Sequence, residues 1–260
     1  MIGNVRPKKY LGQHFLIDEN ISQKIIDSVD FTKYDKVIEV GPGKGALTKY
    51  LLYLKDVLTL IEIDKESILF LENEFKNENL EIIEKDFLKF DVISTYPSLS
   101  EVLIIGNFPY NISSQILFKI YDNRNIVNEM VGMFQYEVAE RICSNYGSKK
   151  YGILSVLIQA FFDVKLLKKI KPESFYPMPK VNSGVIRIIK KTNQINCDEN
   201  LFKKIVKKSF GQRRKTIWNS LKTLNIPQIK KEDTIFAKRP EQLSVSDFIY
   251  LTNLVSDEKI

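Results

Sequence analysis

The sequence predicts an α/β protein: a mainly parallel sheet with helices on both faces, followed by a small all-helical domain. Two observations carry that class. Between residues 36 and 189, short apolar runs alternate with stretches of helical periodicity, the pattern of strands joined by crossover helices. After Lys190-Lys191-Thr192-Asn193 the helical period alone continues. A chain of 260 residues is long enough for such a core plus an appendage.

Each element follows from local pattern. Asp18 reads as an N-cap for a helix carrying Ile21, Ile25, Ile26 and Val29. Residues 36–40 form a short buried-type strand, and 46–54 a helix. Strands at 57–63 and 80–84 flank a helix at 65–75. A fourth strand at 102–105 precedes a helix at 113–120, and a fifth at 130–134 precedes one at 136–143. Residues 153–161 read as a further helix, and 164–170 with 185–189 as a hairpin-like antiparallel edge. In the tail, Leu201, Ile205, Val206 and Phe210 share one helical face, and Ile217, Trp218 and Leu221 another. Ser246 can cap a last helix with Phe248, Ile249, Leu251 and Leu254. The expected domains are 1–194 and 195–260.

Composition narrows the function. No run of 18 apolar residues exists and residues 1–9 hold no apolar signal region, so the expectation is a cytoplasmic protein without membrane contact. Cys143 and Cys197 fit no metal or redox spacing. His14 is the sole histidine, so no metal site is expected, and any imidazole chemistry falls to that residue. The formal net charge is +7, and residues 197–260 carry 13 basic against 8 acidic side chains. Within 202–215 lie seven cations and no acid, with Lys203, Lys204, Lys207 and Lys208 at helical spacing. Like charges so placed repel unless a polyanion is near; the alternative is a solvated lysine face.

The chemistry concentrates after strands, where ligands of open α/β sheets sit. Gly41, Gly43 and Gly45 read G-x-G-x-G, a turn that a ligand can approach closely or a generic strand-to-helix turn. Glu62 ends the second strand, placed to accept from ribose hydroxyls; Asp64 suits a helix cap better. Asp86 follows the third strand, as a solvated acid or an acceptor for an adenine amine. Asn107-Phe108-Pro109-Tyr110 follows the fourth. An adenine N6 amine is a poor nucleophile because its lone pair is delocalised. Acceptors on its hydrogens, the Asn107 oxygen and a nearby main-chain carbonyl, free that pair. Tyr110 would stack on the base, worth roughly 1–3 kcal/mol. No strong base is needed, since the amine turns acidic on gaining the methyl group. The alternative is a proline turn with a capping Asn and a buried Tyr. The target base must lie in a loop or be flipped out, and Phe175 or Tyr176 could form the opposing plate, or both serve as core aromatics beside a proline turn.

Residues 9–16 (KYLGQHFL), 39–45 (EVGPGKG), Glu62-Ile63-Asp64, Asn107-Phe108-Pro109-Tyr110 and 210–216 (FGQRRKT) together resemble the ribosomal RNA adenine dimethyltransferases, over about residues 6 to 252. The resemblance implies a Rossmann-like class I methyltransferase sheet and S-adenosyl-L-methionine as cofactor. It implies dimethylation of N6 on two neighbouring adenosines in the 3′-terminal hairpin loop of 16S rRNA, within the small (30S) subunit or its precursor, by a monomer. It implies cofactor contacts from His14, Leu16, Gly41, Gly43, Glu62, Asp86 and Asn107. Asn107 and Tyr110 form the amine-and-base site, Phe175 the opposing plate, and the helical tail binds RNA. His14 stands where the family often has Asn, and Phe108 where it often has Leu, so only the Phe108 backbone is expected to matter. The related 23S rRNA methyltransferases share the catalytic motifs, but residues 210–216 and Gly12-Gln13 favour the small-subunit enzymes. A purely RNA-binding factor would not need the intact Asn107 and Tyr110.

Overall fold

The computed structural model describes residues 5–224 and 232–256. Its elements are β1 (Phe15–Leu16), α1 (Glu19–Ile26), β2 (Lys36–Val40), α2 (Thr48–Leu51), β3 (Leu58–Glu62), α3 (Lys65–Glu74), β4 (Glu81–Glu84) and α4 (Val92–Thr95). Then come β5 (Val102–Asn107), α5 (Ser113–Asp122), β6 (Val127–Gln135), α6 (Tyr136–Ile142), α7 (Ile153–Phe161), β7 (Phe162–Ile170), β8 (Phe175–Tyr176) and β9 (Ser183–Lys190). The tail holds α8 (Glu199–Gly211), α9 (Ile217–Leu221) and α10 (Val245–Ser256). Counted over the described residues, two compact units emerge: Met1–Ala139 with Lys165–Lys190, and Glu140–Val164 with Lys191–Ile260. The later switch, at Lys191, lies near the change of pattern expected at 194/195; residues 140–164 group with the tail as well.

In the first unit the seven-stranded sheet runs β4-β3-β2-β5-β6-β9-β7. Strands β2 to β6 pair in parallel, and β9 is antiparallel to β6. The central strands are continuous apolar runs because both of their faces are covered. On one face Val37, Leu58, Leu60, Leu103, Ile105, Val131 and Met133 share a core with Ile21, Ile25 and Ile26 of α1 and Leu51 of α2. The alternate positions Ile38, Val40, Ile61, Ile104 and Met130 are buried too. Helix α5, which buries Ile116, Leu117 and Ile120, packs against β6. Each such side chain contributes about 1.5–3 kcal/mol. Strand order reverses between β2 and β5, so the ligand crevice of this topology opens at their carboxyl ends.

Caps set the helix starts. Asp18 accepts from the Ile21 N–H at 3.3 Å, as the sequence predicts. The helix expected at 46–54 is shorter, α2 continuing only as a 3-10 turn over Leu52–Leu54. The last helix is capped by Ser244 rather than Ser246: Ser244 Oγ accepts from Asp247 N at 3.0 Å, while Asp247 Oδ2 accepts from Ser244 N at 2.8 Å. That reciprocal pair satisfies two donors where Ser246 would satisfy one.

The second unit is built on aromatic packing. Phe161 of α7 meets Phe202 of α8 edge-on at 6.5 Å, and Phe210 stacks on Phe248 at 5.9 Å. Helix α8 buries Phe202, Ile205, Val206 and Ser209 and turns Lys204 and Lys207 outward. Arg213 of the basic strip is committed inward, donating to the Ser148 and Lys149 carbonyls at 3.4 and 2.7 Å. Among the described residues, no helix is long and apolar enough to cross a membrane.

Candidate active site

At the carboxyl ends of β2, β3 and β5 lies a cleft with about 810 Å³ of empty space, its open mouth included. That is the size of a small-molecule site. Gly41, Gly43, Glu62, Asp86, Asn107 and Tyr110 line it, as does His14 from the segment that precedes β1. The glycine turn works as its sequence suggests. Gly41 and Gly43 have φ of 66° and 57°, which L-residues with side chains rarely adopt. A Cβ on Gly43 would sit 2.8 Å from the Phe15 ring, whereas one on Gly41 would meet nothing within 4 Å. The loop is therefore closed on one side and bare towards the cleft.

Glu62 is fixed by main-chain donors. Its Oε2 accepts from Gly43 N at 3.1 Å, and its Oε1 from Ile63 N at 2.8 Å and Asp64 N at 2.9 Å. Burial pushes its carboxyl up against the downward pull of those three donors. The three donors take three of the carboxylate's roughly four lone-pair sites, two on Oε1 and one on Oε2, so Oε2 keeps capacity for a hydroxyl. Deeper in, Glu39 of β2 accepts from Thr48 Oγ1 at 2.8 Å. Burial raises its pKa, Thr48 opposes, the nearby Glu62 adds, and the carboxyl is pushed up to about 8. Asp64 caps α3, the alternative its position suggests. Asp86 caps the following turn through Oδ1, accepting from Leu88 N at 2.9 Å.

Asn107 is the last residue of β5, and its amide has one allowed orientation. Nδ2 donates to the His14 carbonyl at 2.7 Å. A carbonyl only accepts, so the nitrogen must face His14 and the oxygen is left as an acceptor. Beside it, Tyr110 shares a hydrogen bond with Ser183, and the His14 ring stacks on it at 5.2 Å and 26°. Burial pushes the Tyr110 phenol up, so the ring is neutral. The His14 ring is itself held, Nδ1 donating to the Pro177 carbonyl at 2.6 Å.

Three expectations change. Leu16 and Phe175 do not line the cleft; they are 5% and 3% exposed and belong to the hydrophobic core. The reason is register. Strands β1 and β8 pair Leu16 with Phe175 and Phe15 with Tyr176, and paired residues project to one side of the ladder. The first pair faces the core, while Phe15 lines the cleft and Tyr176 is 63% exposed. The Phe108 side chain also matters. It is buried beside Phe134, with ring centroids 5.0 Å apart, over Gly106 and Gly132, which pair across β5 and β6. A Cβ on Gly132 would stand 1.9 Å from the Phe108 ring. That slot fixes the residue between β5 and Pro109.

The sequence pattern of the family described as ribosomal RNA adenine dimethylase matches residues 4–252. This chain belongs to the ribosomal RNA adenine dimethylase family. As a member it is a methyltransferase. Among its relatives, the ribosomal RNA small subunit methyltransferase A of Flavobacterium johnsoniae is 50% identical, covering 98% of each chain. That of Cytophaga hutchinsonii is 49% identical over 97% of this chain and 98% of its own length. A dimethyladenosine transferase from Plasmodium falciparum superposes with a TM-score of 0.77 at 27% identity, covering 92% of this chain and 96% of its own. The 23S rRNA methyltransferase ErmE shares the fold, with a TM-score of 0.71 at 22% identity over 92% of this chain and 99% of its own.

Motif reading of this adenine dimethylase missed Gln13 and Lys8, which bind Asp64, and Asn111, which packs on Gly12. Gln13 lies inside the family motif, the one signal available for it. Nothing in spacing links Lys8 to Asp64, which is 56 residues away.

Proposed function

We propose that this enzyme dimethylates N6 of two adjacent adenosines in the 3′-terminal hairpin loop of 16S rRNA, in the small (30S) subunit or its precursor, using S-adenosylmethionine. The observation that carries this is the Asn107 amide, its nitrogen tied to the His14 carbonyl at 2.7 Å and its oxygen left to accept. An acceptor fixed in that way suits an exocyclic amine and does not suit a carbonyl. The relatives named for the small subunit favour 16S over 23S rRNA as substrate.

The cleft fits the cofactor. Bare backbone at Gly41 admits close approach, Glu62 can accept from ribose hydroxyls, and Asp86 Oδ2 can accept from an adenine amine. When bound, S-adenosylmethionine supplies an electrophilic methyl carbon. This chain's own residues do the rest. Asn107 Oδ1 and a main-chain carbonyl of residues 107–110 draw on the amine hydrogens and localise the nitrogen lone pair. The paired rings of Tyr110 and His14 offer the target base an aromatic wall. Catalysis is thus mainly positioning. The sole histidine already donates Nδ1–H to Pro177, and the amine proton leaves to water once the nitrogen is alkylated. Lysines of α8 and its flank would track phosphates. We read the enzyme as a cytoplasmic monomer acting on the ribosomal subunit.

The test is tritiated methyl transfer onto under-methylated small subunits, with free rRNA and large subunits as controls, followed by nuclease digestion. Label in N6,N6-dimethyladenosine at two neighbouring positions is expected. Label only in large-subunit rRNA, or none, overturns the proposal.

A further inference from the structure

Asp64 accepts more hydrogen bonds than a helix cap needs. Its side chain is 0% exposed. Glu66 N at 3.2 Å and Ser67 Oγ at 3.1 Å account for capping α3. Two further donors arrive from the N-terminal segment: the Lys8 ammonium, and Gln13 Nε2 at 3.0 Å. Gln13 also accepts from Lys8 N at 2.8 Å, which closes residues 8–13 into a loop with both ends on one carboxylate. Burial alone would raise the Asp64 carboxyl; the bonds from Gln13, Lys8, Glu66 and Ser67 outweigh it and hold the pKa below the ordinary value.

That loop is a strap along the cleft. Tyr10, Leu11, Gly12, Gln13, His14 and Phe15 all line it. Gly12, with φ of 67°, lies so close to Asn111 that a Cβ would be 2.6 Å from its Oδ1. One residue beyond the Gln13 anchor, the His14 carbonyl takes the Asn107 Nδ2–H. The Asp64 carboxylate and the Asn107 amide are thus joined through Gln13 and His14, two consecutive residues.

We infer that Asp64 is a positioning residue: through Lys8 and Gln13 it ties the strap down, and the strap's His14 carbonyl aims the Asn107 oxygen at the reacting amine. This deepens the function proposed above and rests on it. A loosened strap lets the Asn107 amide rotate, so the loss falls on turnover rather than on rRNA affinity.

The test uses Asp64→Asn, which keeps a capping oxygen but loses the charge that Lys8 pairs with, and Lys8→Met, which leaves Asp64 intact. Lys8→Arg is the conservative rescue. In ligand-free protein, backbone amides of residues 8–14 should exchange with deuterium faster in Asp64→Asn and Lys8→Met and at the wild-type rate in Lys8→Arg. Asp64→Asn should lower kcat about tenfold, with KM for the small subunit unchanged. On an Asn107→Ala background it should lower kcat no further. Wild-type exchange in both loosened variants, or kcat losses that multiply with Asn107→Ala, would overturn the inference. If Asp64→Asn loses cooperative melting, Lys8→Met decides through the same readings. A wild-type enzyme that transfers no methyl would instead defeat the proposed function, while the exchange experiment would still test the latch.

Discussion

At the amino-terminal end of the parallel strands, carboxylates are held by side chains. Glu129 takes Arg187 Nε and Nη2 at 2.8 and 3.0 Å and Tyr34 Oη at 2.6 Å. Glu81 takes Lys36 Nζ at 2.8 Å, Tyr96 Oη at 3.3 Å and the Thr59 hydroxyl. At the carboxyl-terminal end, Glu62 and Asp86 are held by main-chain N–H groups and face a cleft. Side-chain donors from neighbouring elements make each of these acids a tie between parts of the fold. Main-chain donors fix Glu62 and Asp86 and leave acceptor capacity on Glu62 Oε2 and Asp86 Oδ2. One end of the sheet therefore ties the fold together, and the other leaves acceptors at the cleft.

Mutations at the two ends should separate accordingly. The largest effect is expected for Asn107→Ala at the cleft end. Losing a preorganised acceptor at the reacting atom should cost about 10²–10³-fold in kcat. Cofactor affinity by calorimetry should change less than about threefold, and the melting temperature should hold. Equal losses in affinity and turnover would make Asn107 a binding group only.

Gly132→Ala should affect both properties, because the slot under Phe108 belongs to the core and also positions the site. Overpacking there should cost about 2–3 kcal/mol in urea unfolding, and kcat of the remaining folded enzyme should fall. Unchanged turnover would detach the slot from the chemistry. Glu129→Ala, at the other end, leaves Arg187 and Tyr34 without their shared acceptor. A loss of roughly 2 kcal/mol is expected, discounted because Arg187 is partly exposed, with kcat per folded molecule unchanged.

The pH dependence of stability turns on Glu39, whose carboxyl burial pushes up to about 8 from its ordinary 4.5. The folded state then binds a proton that the unfolded chain has released. Its contribution to stability is full below the unfolded pKa and is lost as pH rises towards 8. Glu39→Gln, which cannot ionise, should flatten the decline in melting temperature between pH 5 and 8. An identical slope in both proteins would mean that Glu39 is ionised in the fold.

Much of this was legible in the sequence. The alternating apolar runs predict the strands of the parallel sheet, because central strands buried on both faces leave an uninterrupted signal. Gly41, Gly43, Glu62, Asp86, Asn107 and Tyr110 were recognisable because each follows a strand, where topology concentrates ligands. Leu16 and Phe175 were misplaced because a two-residue ladder is too short to reveal its alternation. The strap was hidden for another reason. Contacts between Lys8 or Gln13 and Asp64 span more than 50 residues and leave no period. The slot under Phe108 needs Gly106 and Gly132 to pair across two strands, a register that no single segment encodes.

The proposed reaction needs a cleft that presents an electrophilic carbon to an amine held at Asn107. The most direct measurement is a crystal structure with S-adenosylhomocysteine. The prediction is ribose hydroxyls on Glu62, the adenine beside Asp86 and the sulfur turned towards Asn107 Oδ1. A ligand bound outside this cleft, or one with its purine against Asn107 and its sulfur remote, would contradict it.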